Sequence, residues 1–234
     1  MTSIANLRSL LARELNLPEA GPLHQVSRIL YQLHAMPNRA YHNLDHPWEM
    51  AEWLEKIRPL VTPEEFQAIV WFIFTHDCVY NFGSPTNEVE SAGLAFDFGG
   101  LLGLSDRVQS YATSMILDSK THAIVGQSYL AIRLALQCDM AILGSAPERY
   151  HIYSRSQIPH EFCGYGLTTF TEWSLADKLG KPYTVQQFMQ GRADWLRRQE
   201  VENTFVDEPF KALLSQAKAN VADELAWLAS LPVK

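Results

Sequence analysis

The sequence predicts an all-α protein. Apolar residues recur at helical spacing in nearly every segment, the alternation that half-buried strands need is nearly absent, and no repeat or low-complexity linker interrupts the pattern. A chain of 234 residues is long enough for one sizeable core. One helical domain over residues 1–234 is therefore the expectation.

Taken in order, residues 3–15 form an amphipathic helix with Ile4, Leu7, Leu10 and Leu11 on one side. Residues 23–36 repeat the pattern through Val26, Ile29, Leu30 and Leu33, and Pro37 ends it. The next helix is expected at "HPWEM", with Pro47 at its first position and Glu49 in its first turn. Thr62-Pro63-Glu64-Glu65 then carries every mark of a helix start: a Thr cap, Pro at N1 and Glu at N3. The stretch that follows, "FQAIVWFIFTHD", is apolar on all faces, so this helix belongs in the interior and Trp71, Phe72 and Phe74 are core. Further helices are expected at about 87–102, 105–118, 126–143, 147–161, 185–200 and 208–230, with residues 163–183 as loop and a short helix.

Composition narrows the function classes. Apolar residues make up 47% and charged residues 19%, an ordinary globular balance. The net charge of −7 argues against broad affinity for nucleic acid polymers or acidic membranes, and no run is long and apolar enough to span a bilayer. The N-terminus lacks the apolar block and cleavage site of a secretory signal. Cys78, Cys138 and Cys163 are odd in number and widely spaced, which fits a reducing compartment, so a cytoplasmic location is expected. Free cysteines are common core residues, and Cys78 and Cys138 read as core although each adjoins a candidate ligand.

His76 and Asp77 close the buried helix. A helix C-terminus favours a cation, and at a terminus both side chains can fold over the end toward one ion. Imidazole with carboxylate suits Zn, Mn, Fe, Co or Ni better than Ca. Asp139 lies among apolar neighbours in "IRLALQCDMAILG", where an ionised carboxylate needs a positive partner; Arg133, six residues back, is off its face. His42 and His46 stand four apart just ahead of Pro47, and one of them is a further ligand candidate. "HNLDH" lacks the glutamate of the zinc-peptidase "HExxH".

The ordered set His46, His76-Asp77, Asp139 resembles the H…HD…D signature of the HD superfamily of metal-dependent phosphohydrolases. "PNRAYHNLDH", "HDCVYN", "TNEVESA", "ILDSKTH", "CDMAILG" and "FMQGR" resemble, in order, motifs of a family of bacterial HD-domain proteins regarded as phosphohydrolases, and they run from about residue 29 to 204. "YHNLDH" is also similar to the "YHNxxH" of cyclic-nucleotide phosphodiesterases. The resemblance implies an HD-type helical bundle that hydrolyses a small phosphate ester, a nucleotide among the candidates. It implies one or two divalent ions, Mn, Zn, Fe, Co, Ni or Mg, held by His46, His76, Asp77 and Asp139, with His42 as general acid. The same superfamily contains di-iron oxygenases, and a metal-containing module that only binds a ligand or partner is a further alternative.

Five more positions complete the candidate set. Glu88 would accept a proton from water or orient a ligand histidine; its alternative is to stabilise a helix N-terminus. Arg39 is placed as a phosphate clamp. Lys120, His122 and Arg192 are substrate-binding candidates as well, with His122 joining a second metal in two-metal relatives and Arg192 alternatively anchoring a helix. The chain departs from the resembled family at Pro159, where related sequences tend to carry an arginine, a contact that Arg155 or His160 would take over.

Overall fold

A computed structural model of the protein describes residues 3–37, 39–164 and 184–231. Among these residues every regular element is a helix and no strand occurs, so the chain is all-α. Within the chain that the sequence reads as one domain, two compact units separate, Met1–Asp139 and Met140–Lys234.

The first unit is built around α5 (Pro63–Thr75). The Thr62 hydroxyl accepts from the Glu65 N–H while the Glu65 carboxylate accepts from the Thr62 N–H, closing the capping box the sequence predicts. Every residue from Ala68 to Thr75 is buried, as a helix apolar on all faces requires. Packed against it are α1 (Ile4–Leu15), α3 (Asp45–Ala51), α6 (Asn87–Leu102), α7 (Asp106–Ser119) and α8 (Leu130–Asp139), while α2 (Pro22–His34) lies on α1 and α6. The polar atom of the fully buried Trp71 is satisfied by the Ala95 carbonyl of α6, at 2.9 Å. α6 and α7 approach closely at Gly99, where a Cβ would stand 2.9 Å from Gln109 Cγ.

Several boundaries differ from expectation, each for a local reason. α3 begins at Asp45, so His46 lies in its first turn instead of ahead of it. Pro47 is tolerated there because the first four N–H groups of a helix have no intrahelical partner. α8 starts at Leu130 and not near 126, because Gly126 takes a left-handed φ of +88° that no helix can run through. It passes at Asp139 into a 3₁₀ turn, Met140–Gly144.

In the second unit the helix expected at 147–161 is α9 (Pro147–Ile152), a π-helical stretch (Tyr153–Gln157) and α10 (Ile158–Cys163). Pro159 has no N–H to continue the i→i−4 ladder, and the Ile158 N–H reaches back to the Tyr153 carbonyl instead. Gly164, at φ +89°, ends α10; the loop and short helix expected up to 183 otherwise lie outside the described residues. Helices Val185–Arg198 and Leu214–Ser230 follow, with a short helix, Val201–Thr204, that the pattern does not announce. No helix among the described residues is long and apolar enough to cross a membrane.

Urea unfolding should rank two substitutions on α5. Thr62→Ala, which removes the cap, is expected to cost about 1 kcal/mol. Ile73→Ala, which opens a cavity at a position with 0% exposure, is expected to cost about 2–5 kcal/mol. The reverse order would show that α5 is not the packing centre of its unit.

Candidate metal centre

The site begins where α5 ends. The last carbonyls of a helix lack intrahelical partners, and here imidazoles take two of them. His76 Nδ1 donates to the Ile73 carbonyl at 3.2 Å, and His34 Nε2 donates to the Phe74 carbonyl, also at 3.2 Å. The Thr75 carbonyl accepts from the Cys78 N–H. Arg39 then clasps the turn: Nη1 donates to Asp77 O (2.6 Å) and His42 O (3.0 Å), and Nη2 to Cys78 O (3.0 Å). One buried side chain thus ties the segment that carries His42 and His46 to the segment that carries His76 and Asp77.

Because a carbonyl only accepts, the Ile73 bond puts a proton on His76 Nδ1 and leaves Nε2 to face the interior. His46 Nε2 lies 3.3 Å from it, Asp77 Oδ2 3.0 Å and Asp139 Oδ1 3.6 Å. His46 Nε2 is 3.0 Å from Asp139 Oδ1 and 4.0 Å from Asp77 Oδ2. The other oxygen of Asp139 meets His122 Nε2 at 2.8 Å. Four side chains from α3, the end of α5 and the end of α8 therefore converge, and His122 joins them from the loop after α7 with a left-handed φ of +50°.

The donor set fits a metal ion. His46, His76 and Asp139 each offer a ligand atom within 4.8 Å of the others and could hold one. Ligand bonds of roughly 2.0–2.2 Å place neighbouring donors about 3.0–3.5 Å apart around a tetrahedral or octahedral centre, close to most of the separations here. The electrostatics agree. Burial alone would push the His76 imidazole down, but Asp77 and Asp139 hold it well above its usual range. Burial raises both carboxyls; His76 and His42 overcome this for Asp77, and His76, His122 and His46 for Asp139, leaving both below the carboxylate range. A field that draws a proton onto His76 also draws a cation.

The remaining candidates divide. His42 stands beside the cluster, its ring stacked on Tyr80 and 6.1 Å from that of His46. Glu88 and Lys120 meet each other at 3.6 Å, and Lys120 also donates to the Pro85 carbonyl. Arg192 belongs to the second unit, where Nε and Nη2 fork onto buried Glu224 at 2.8 and 3.1 Å, and Tyr150 donates to the same carboxylate. That is the helix-anchoring alternative in its full form. Arg155 pairs with Asp223. Burial pushes the Cys78 thiol up to about 11 and raises Cys138 as well; both lie in the core. Sequence reasoning missed His34, Tyr41, which packs on His46 at 4.7 Å, and Tyr80. Tyr41 and Tyr80 carried a signal, their places in "YHNLDH" and "HDCVYN". No protein-family model matches the chain, and no curated protein matches it either.

Two measurements test the centre. Protein stripped with a chelator and titrated with Zn or Mn should rise in thermal midpoint, by the equivalent of about 2.7 kcal/mol at one hundred times the dissociation constant. Asp139→Asn should abolish that rise, and an undiminished rise in the variant would place the ion elsewhere. His34 supplies the pH test. Burial, reinforced by Arg39, lowers its pKa to about 4 from 6.5, so the unfolded chain binds the proton more tightly. Its stabilising effect is complete above pH 6.5 and is lost as pH falls toward 4, by about 3 kcal/mol in all. Relative to His34→Gln, wild-type stability should decline across that window in urea titrations; a difference independent of pH would refute the assignment.

Proposed function

We propose that this chain is a metal-dependent hydrolase of a small phosphate ester, a nucleotide being the leading class, of the HD type that its motifs resemble. The observation that carries the reading is the convergence of His46, His76, Asp77 and Asp139 from three segments, with the two imidazoles 3.3 Å apart and each 3.0–4.0 Å from both carboxylates. Those four residues would hold a divalent ion, Mn, Zn, Fe, Co, Ni or Mg. When bound, such an ion supplies Lewis acidity toward phosphoryl oxygens and makes water a better nucleophile near neutral pH.

The chain's own groups do the rest. His42 stands next to the ligand histidines and gives its proton to the departing alkoxide. Glu88 accepts a proton from the attacking water, with Lys120 pairing its carboxylate. His122 steadies the second oxygen of Asp139. Arg39 keeps its charge beside the turn while its donors hold the two ligand-bearing segments together. A reducing, cytoplasmic setting belongs to the same reading, supported by three buried cysteines that form no disulfide.

The deciding experiment is a screen of phosphomonoesters and phosphodiesters with protein loaded with each of these metals. Turnover should appear in wild type, and Asp77→Ala should lose more than the roughly 10- to 100-fold that removing an outer partner of a ligand costs. Equal rates in the two proteins would sink the assignment. Two irons per chain with oxygen consumption would replace it with an oxygenase.

A further inference from the structure

We propose that Tyr80 is the positioning residue for His42, holding the imidazole in the plane from which it protonates the leaving group; this rests on the hydrolase reading above. His42 lies in the turn ahead of α3, so no helix holds its side chain. Its ring is instead confined on two sides. The Tyr80 ring lies flat against it, with centroids 4.1 Å apart and planes 23° from parallel. Tyr41 meets its edge at 5.0 Å and 80°. Aromatic pairs of these two kinds are the favoured ones, and a stack both attracts and orients.

The backbone beneath the stack is held as well. Arg39 donates to the carbonyl of His42 and to those of Asp77 and Cys78, and its guanidinium carbon lies 5.6 Å from the Tyr80 centroid. Tyr80 leaves the same turn as Asp77, three residues on. The residue that fixes the proton donor is therefore built on the segment that supplies a metal ligand, so donor and ligand are referenced to one piece of chain. Proton transfer needs heavy atoms within hydrogen-bond reach of each other, and a ring free to turn about both side-chain torsions would meet that condition only part of the time.

The test separates proton delivery from general integrity by the leaving group. A nitrophenolate departs without a proton, whereas an alkoxide needs one. For Tyr80→Ala, kcat on an alkyl ester should fall about tenfold or more, a share of the roughly 10²- to 10⁴-fold that general-acid catalysis contributes, while a 4-nitrophenyl ester of the same phosphate changes by less than about threefold. Tyr80→Phe, which keeps the stacking face, should recover the alkyl-ester rate. In NMR spectra of the metal-loaded protein, the His42 ring protons should carry a Tyr80 ring-current shift that Tyr80→Ala removes. Equal losses on both esters, no loss on either, or His42 signals unmoved by the substitution would overturn the proposal. Wild-type protein inert toward both esters would instead overturn the hydrolase reading, and this role with it.

Discussion

Asp77 and Asp139 bring two partly buried carboxylates, 19% and 11% exposed, against the same imidazole, and His76 holds both below the usual carboxylate range although burial pushes them up. His46, His76 and His122 face those oxygens. This requirement organises the surrounding structure. It accounts for a histidine at the end of α5 and for an acid tolerated at the end of α8. Remove the positive charge, and like-charge repulsion would set the end of α5 against the end of α8.

Much of this was legible in the sequence because its causes are local. A capping box states where a helix starts, and a run without polar faces states that it is buried; α5 has both. His76 and Asp77 could be placed at its end by counting, and Asp139 stood out because nothing within its own helix could neutralise it. What was not legible depends on direction. Arg39 reads the same whether its fork meets phosphate or carbonyl, and Arg192 the same whether it meets a ligand or Glu224. The first turn of α3 was missed since Pro47 fits both N1 and N3, and the roles of His34 and Tyr80 arise from partners 40 and 38 residues away.

The second unit shows a local irregularity absorbed by the backbone. Pro159 would break an α-helix of the length expected, yet the chain continues because a single π turn supplies i→i−5 bonds where the proline cannot donate. On the same unit, Glu224 receives both a guanidinium fork and a phenol, and the rings of Tyr153 and Trp195 cover the guanidinium at 5.0 and 4.5 Å. A buried ion pair of that kind contributes little net stability when intact and a large penalty when halved, which gives Arg192 and Glu224 a structural reason to be kept together.

The bond from His76 Nδ1 to Ile73 means that secondary structure itself chooses the tautomer of a ligand. An imidazole in solution divides its time between two protonation isomers and many rotations, and an incoming ion must wait for one of them. Here the spare carbonyl of the preceding turn makes that choice as soon as the helix forms. The binding step is thereby spared an ordering cost that folding has already met, because the ring is already oriented before its Nε2 proton is given up.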